Sequence, residues 1–367
     1  MSALDESKGG CSEGVTLDEE TVREMKVGRI FKLHEAPINS LDFNSTGEFL
    51  VTSSDDETIR IFDVKSGTPH ATWGPVPSKK YGCDLAKCTH SQPSSCLTVL
   101  VASKNGWDET IRYLSLHDQR YLRFVFKTST TTTTQQSFPS NSFFSLFFSP
   151  SFLFFISYFK GHRDAVCSLA LNPVDDTFIS ASLDGTVRMW DLDAPSCLGL
   201  LRRKPGHPSM VCFNPDGSVF ALAVSNNTVK LYAREAYDAG PFLSFQVSYN
   251  RELEWLGISF SPDGKNVLLS SVEALFLYDS FKGTHLGTFK ASESLRAGSF
   301  SPNGAFLFAG TSLGNICVWT AAVEEPSVHF AKPFHIFQGH PGPVGSVAWN
   351  PSFFMFASAC QSLYIWQ

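Results

Sequence analysis

The chain repeats itself, and no other feature limits its possible folds so strongly. A short apolar strand ending in an aromatic residue runs into a turn of Asn or Ser, Pro, Asp or Asn, and Gly, and two further strand-like stretches follow. The clearest copies are Phe213-Asn214-Pro215-Asp216-Gly217, Phe260-Ser261-Pro262-Asp263-Gly264 and Phe300-Ser301-Pro302-Asn303-Gly304. Proline presets φ, while Asp, Asn and Gly suit a tight reversal, so each copy is a hairpin signal with a mechanism. Divergent copies begin at Phe43, Leu171 and Trp349, and the spacings are 42 residues from Leu171 to Phe213, 47 to Phe260, 40 to Phe300 and 49 to Trp349. A second motif, Asp-x-Thr-(Ile/Val)-Arg-x-apolar, recurs at 56–62, 108–114 and 184–190, with a weaker copy at 226–232. Units this small cannot bury an apolar face alone, so they must stack on one another.

The two rulers meet in residues 161–191. Gly161-His162 precedes Asp184 by 22 positions counted from the histidine, and Trp190-Asp191 closes the unit; His34 and Asp56 are also 22 apart. These dipeptides and spacings resemble the WD40-repeat family, whose blades run to roughly 40–45 residues. The resemblance implies a buried hydrogen-bonded chain of His162, Ser180 or Ser182, Asp184 and Trp190, with His34 and Asp56 in the matching places of the first unit. One histidine per unit with no neighbouring ligand reads as architecture, not as catalysis or metal binding.

Three-strand units fall at about 38–63, 81–116, 165–191, 209–233, 254–279, 294–319 and 344–366. The expected fold is an all-β, seven-bladed WD40 β-propeller over residues 22–367, with residues 1–21 a flexible tail. The last unit ends without sequence for a fourth strand. The segment Val27-Gly28-Arg29-Ile30-Phe31-Lys32-Leu33 can supply it, closing the ring and removing an open edge.

From Phe43 to Leu171 is 128 residues, two periods of 47 and 34 residues more. Residues 125–158 have the surplus length: a threonine run from Thr130 to Thr134, then Phe- and Ser-rich sequence. A membrane helix conflicts with Pro139, Pro150 and the many serines, and would wreck the ring. A surface loop would expose many phenylalanines. The favoured reading is a retained intron or gene-model artefact between blades 2 and 3, because Phe, Ser and Leu codons are largely pyrimidine-rich, as is sequence ahead of a splice acceptor. Excision joins Phe124 to Phe159.

With 367 residues, 43% hydrophobic and 17% charged, the chain can bury a large core. Its net charge of -6 argues against a protein built to bind the nucleic-acid backbone. The nine cysteines are odd in number and form no CxxC pair, unlike a disulfide framework or zinc site, and Cys88 with His90 lacks two further ligands. The polar, acidic start has no signal-peptide character. No phosphate-binding loop, catalytic triad or metal cluster is present, so no enzyme activity, cofactor, metal or small-molecule substrate is expected.

Beyond the general repeat, particular stretches carry a closer likeness: 78–85, 108–118, 173–180, Lys230-Leu231-Tyr232, Gly240-Pro241-Phe242, Phe281-Lys282-Gly283 and 356–360. They resemble the branch of the WD40 family that supplies a propeller subunit to COMPASS-type histone H3 lysine-4 methyltransferase complexes. That resemblance implies a nuclear, non-catalytic scaffold. Its implied partners are the methyltransferase catalytic subunit, the phosphorylated C-terminal domain of RNA polymerase II, and 3′-end processing and type-1 phosphatase assemblies, with chromatin met indirectly and no membrane. The alternative, a substrate receptor of a cullin-type ubiquitin ligase, is weakened because Trp190-Asp191-Leu192-Asp193 lacks the arginine of an Asp-x-Arg box. Lys79, Lys80, Arg112 and Arg188 are candidates for phosphorylated or acidic peptides, Tyr81 and Trp255 for aromatic anchors. Arg202-Arg203-Lys204 is too short to name as a nuclear signal.

Overall fold

In the computed structural model the described residues are 17–70, 74–78, 82–90, 97–104, 109–116, 120–121, 123–124, 155–156, 158–322 and 330–367. They form seven antiparallel sheets, each one blade, with a small two-stranded ribbon besides. Blade 3 shows the plan: Val166–Leu171 innermost, then Thr177–Ser182, Thr186–Asp191 and the outer Ala194–Arg202. Blades 4, 5 and 6 repeat it from Met210–Phe213, Trp255–Phe260 and Leu295–Phe300.

The turn residues do what their chemistry requires. In the first turn of blade 4, Gly217 N–H donates to Asn214 O at 3.0 Å, and Asn214 Oδ1 accepts from Val219 N–H at 2.9 Å. Gly217 has φ +72°, and a Cβ there would strike the side chain of Asn172 in the previous blade, so glycine is needed twice over.

There is no single core. Seven clusters of buried apolar side chains lie in the seven seams between neighbouring blades. The ring closes in blade 7, where Val27–Phe31 lies antiparallel to Leu363–Trp366 with Phe31 opposite Leu363 and Val27 opposite Trp366. Helix Glu19–Glu24 precedes that strand, capped by Asp18, whose Oδ1 accepts from Thr21 N–H at 2.8 Å. Val22 is fully buried with Met25 against Phe306, Phe337 and Trp366. The tail expected over residues 1–21 therefore overlaps a docked helix; residues 1–16 lie outside the described residues.

Two outer strands are broken. In blade 1, Thr68–Pro69 and Val76–Pro77 each pair with one end of Thr58–Asp63. In blade 2, Arg120–Tyr121 pairs with Ser115 and Leu114, while Tyr158–Phe159 pairs with Arg112 and Ile111. Between those halves the chain leaves and returns through the ribbon of Arg123–Phe124 with Phe155–Ile156. Residues 125–154 of the expected insertion lie outside the described residues. No helix among the described residues is long and apolar enough to cross a membrane.

Candidate protein-interaction surface

The polar chain in blade 3 is complete. Asp184 Oδ2 lies 3.2 Å from His162 Nδ1, His162 Nε2 lies 2.7 Å from Ser180 Oγ, and Trp190 Nε1–H donates to Ser180 Oγ at 2.8 Å. A carboxylate can only accept, so His162 carries its proton on Nδ1, and Nε2 accepts from Ser180. Ser182, the other candidate, instead donates to Asp164 O at 2.7 Å. Burial holds the His162 imidazole below its ordinary value, against the pull of Asp184. Burial pushes Asp184 up, but hydrogen bonds from the Thr186 hydroxyl and from the Arg163 and Thr186 amides outweigh it, bringing the carboxyl down to about 2. In blade 1, His34 lies 2.8 Å from both Asp56 Oδ2 and Thr52 Oγ1. Phe62, paired with Leu50 as Trp190 pairs with Phe178, takes the tryptophan's place and ends the chain.

Blade 7 carries a third network that sequence reasoning missed. His340 Nε2 lies 2.7 Å from Ser358 Oγ, and Trp366 Nε1–H donates to the same oxygen at 2.7 Å. Where Asp184 serves blade 3, His340 Nδ1 instead meets Cys360 Sγ at 3.3 Å. Without a carboxylate partner, burial lowers His340 to about 4. Gly339-His340 with Trp366 was the available signal, hidden because no aspartate follows the histidine at the usual distance.

Two of these networks, those of His34 and His340, lie beside loops that converge on one cavity. Each histidine sits in the loop entering an innermost strand, so fixing His34 fixes Pro37-Ile38, and fixing His340 fixes Pro341 to Gly345. Gly310 of blade 6 lets Val344 O approach where a Cβ would collide. Pro37, Pro341, Pro343, Leu256, Gln361 and Arg296 line a cavity of about 580 Å³ there. Its walls are proline, glycine and apolar side chains such as Ile38 and Leu256, with Arg296 as its cation, so it can hold a partner's side chain.

The other expected contact residues fall differently. Arg112 is only 2% exposed and bonds Thr110 O at 3.2 Å and the Ser103 hydroxyl, so it is not a surface contact. Arg188 lies over the Trp190 ring at 5.9 Å and donates to Thr186 Oγ1 at 3.3 Å. Trp255 is 2% exposed, with its indole N–H on Val224 O at 2.9 Å, a core residue and not an anchor. Lys79, Lys80 and Tyr81 lie outside the described residues. His90 bonds Asn172 O at 2.6 Å, Cys88 meets Asp42, and no group of three or more His, Cys, Asp or Glu among the described residues is placed to hold a metal.

The comparisons with known proteins agree with this geometry. The family model described as "WD domain, G-beta repeat" matches residues 25–63, 153–191, 283–320 and 331–367. WD repeat-containing protein 82 of Drosophila melanogaster is 36% identical over 96% of this chain and 97% of its own length. COMPASS component SWD2 of Saccharomyces cerevisiae is 30% identical over 89% of both chains. Set1 complex component swd2 of Schizosaccharomyces pombe is 29% identical over 77% of this chain and 70% of its own. With seven blades, His–Ser–Trp networks in blades 3 and 7, and a relative 36% identical that is matched along 97% of its own length, the chain belongs to the WD40-repeat family, in the branch of WD repeat-containing protein 82.

Proposed function

We propose that the protein is a non-catalytic scaffold subunit of a COMPASS-type histone H3 lysine-4 methyltransferase complex in the nucleus, linking it to RNA polymerase II through the phosphorylated C-terminal domain. A part in 3′-end processing of messenger RNA and in transcription termination follows from the same reading. What carries it is the likeness to COMPASS component SWD2, which spans 89% of both chains and so includes the loops as well as the repeats. Blade number alone would not distinguish it from any other propeller. The described residues add a cavity built from loops of several blades, of a size suited to a side chain or short peptide.

Affinity capture of the endogenous protein followed by mass spectrometry tests the reading. Methyltransferase subunits and phosphorylated polymerase in the eluate are the expected result. Cullin-linked adaptors in their place would overturn it.

A further inference from the structure

Between blades 3 and 4 a cleft of about 420 Å³ opens near the end of the outer strand Ala194–Arg202. Arg202, Arg203, Lys204 and Lys230 line it, and no acidic residue does. Strand register makes the cluster. Arg202 ends the outer strand of blade 3 opposite Thr186, while Lys230 stands in the third strand of blade 4 opposite Leu222. Among the described residues none of the four pairs with a carboxylate, although the whole chain carries a net charge of -6.

Arg203 is fixed in place. Its guanidinium donates to Ser182 O at 2.6 Å, His207 O at 2.6 Å and Lys204 O at 3.2 Å, and its Nε–H is buried without an acceptor among the described residues. The carboxylate that acts on it, Asp184, is already held by His162 and by the Arg163 and Thr186 amides. At the rim, the Glu252 carboxylate accepts from Asn226 N–H at 2.9 Å, and among the described residues it forms no ion pair with the four cations. Arg202 and Lys204 are exposed and Lys230 is half-buried, so the charges that remain can reach a ligand.

Four cations around a small cleft, one preset and none neutralised, recognise a compact anion of high charge. A phosphorylated side chain meets that description better than a nucleic acid. The cleft offers no stacking platform, since the Tyr232 ring is buried and stacked on Phe220 at 5.1 Å. We propose that this cleft receives the phosphoryl group of a phosphorylated protein partner; the choice of a protein partner rests on the scaffold reading above.

The test uses the full chain and a fluorescent phosphoserine peptide, with its unphosphorylated twin, inorganic phosphate and a single-stranded RNA of equal length as competitors. Arg202→Gln with Lys230→Gln removes two contacts while sparing Arg203, and Lys265→Gln with Lys282→Gln in blade 5, which removes the same two charges away from the cleft, controls for net charge. Binding of the phosphopeptide alone, weakened about tenfold for each lost contact in the cleft variants, unchanged in the control, and displaced by inorganic phosphate is the expected result. Equal binding by wild type and double variant, no phosphopeptide binding, or preferred binding of the RNA overturns the assignment. Capture of phosphorylated polymerase by the wild-type chain is measured separately. If polymerase is captured equally by the double variant, the cleft assignment fails and the scaffold reading stands. If the peptide binds in the cleft but polymerase is never captured, the reverse holds.

Discussion

At the scale of single residues, the blades differ in how much of one polar network each retains, and the register makes the differences comparable. Ser180 pairs with Arg188, two residues before Trp190; Ser358 pairs with Tyr364, two before Trp366. In blade 6 the same place is Ala309, paired with Cys317 two before Trp319, and the Trp319 Nε1–H is buried with no partner among the described residues. A buried donor without an acceptor costs stability that Phe would not. Trp319→Phe is therefore expected to lie within about 1 kcal/mol of wild type, whereas Trp190→Phe and Trp366→Phe each cost about 1–3 kcal/mol; chemical denaturation of the three variants checks the order. The histidines give a pH signature. His34, His162 and His340 are all held below their ordinary value by burial, His340 to about 4. A depressed folded pKa means that the unfolded chain binds the proton first, so stability is full above pH 6.5 and falls between pH 6.5 and about 4. His340 supplies up to about 3 kcal/mol of that fall. The melting temperature of wild type should drop steeply across this window and that of His340→Gln less steeply, by one proton's worth of slope. The blade 3 network could be read from the Gly-His and Trp-Asp dipeptides, but that of blade 7 could not, because Cys360 stands in for the aspartate.

At the scale of elements, strands and turns were legible because each turn needs particular residues, Pro for φ and Gly for the left-handed region. The docked helix Glu19–Glu24 was not, since six residues give no helical period; its one signal is Asp18 with Thr21, two partners in a capping box. Outer strands were also obscure, because they pair on one side only and tolerate breaks. The broken strand of blade 2 still defines what the intervening chain must span. Between Tyr121, opposite Leu114, and Phe159, opposite Ile111, lie the two places facing Tyr113 and Arg112. Removing residues 125–158 leaves Leu122, Arg123 and Phe124 for those two places, one residue too many, which a β-bulge absorbs as it does between Val27 and Arg29 in the outer strand of blade 7. We predict that this shortened chain melts cooperatively and no lower than the full chain, with Phe159 still packed on Phe178 and Trp190. A lower melting temperature would mean that the inserted residues belong to the blade.

At the scale of the whole molecule, a core divided among seven seams makes each blade's stability depend on two neighbours, and closure is what gives every blade its second one. The first strand, Val27–Phe31, and the last, Leu363–Trp366, share blade 7, so the ends of the chain carry the ring. The repeat count and the closing strand followed from sequence alone. The cation cleft did not, since Arg202 and Lys230 share no local motif and only the juxtaposition of blades 3 and 4 brings them together. Truncation before Lys32 would expose the backbone edge of Leu363–Trp366 and strip Val22 and Met25 from the seam of blades 6 and 7. Burial of those two side chains alone is worth roughly 3–6 kcal/mol, a large share of the 5–15 kcal/mol that holds a typical domain folded. An unpaired edge also invites pairing between copies. The truncated chain should lose its single cooperative transition and elute from size exclusion as oligomers, whereas Val22→Ala should stay monomeric and melt a few degrees lower, about 4 °C per kcal/mol at most for a chain this long. If the truncated chain stays monomeric and melts in one step, blade 7 holds as a three-stranded blade, and the closing strand is an addition to the ring instead of its fastener.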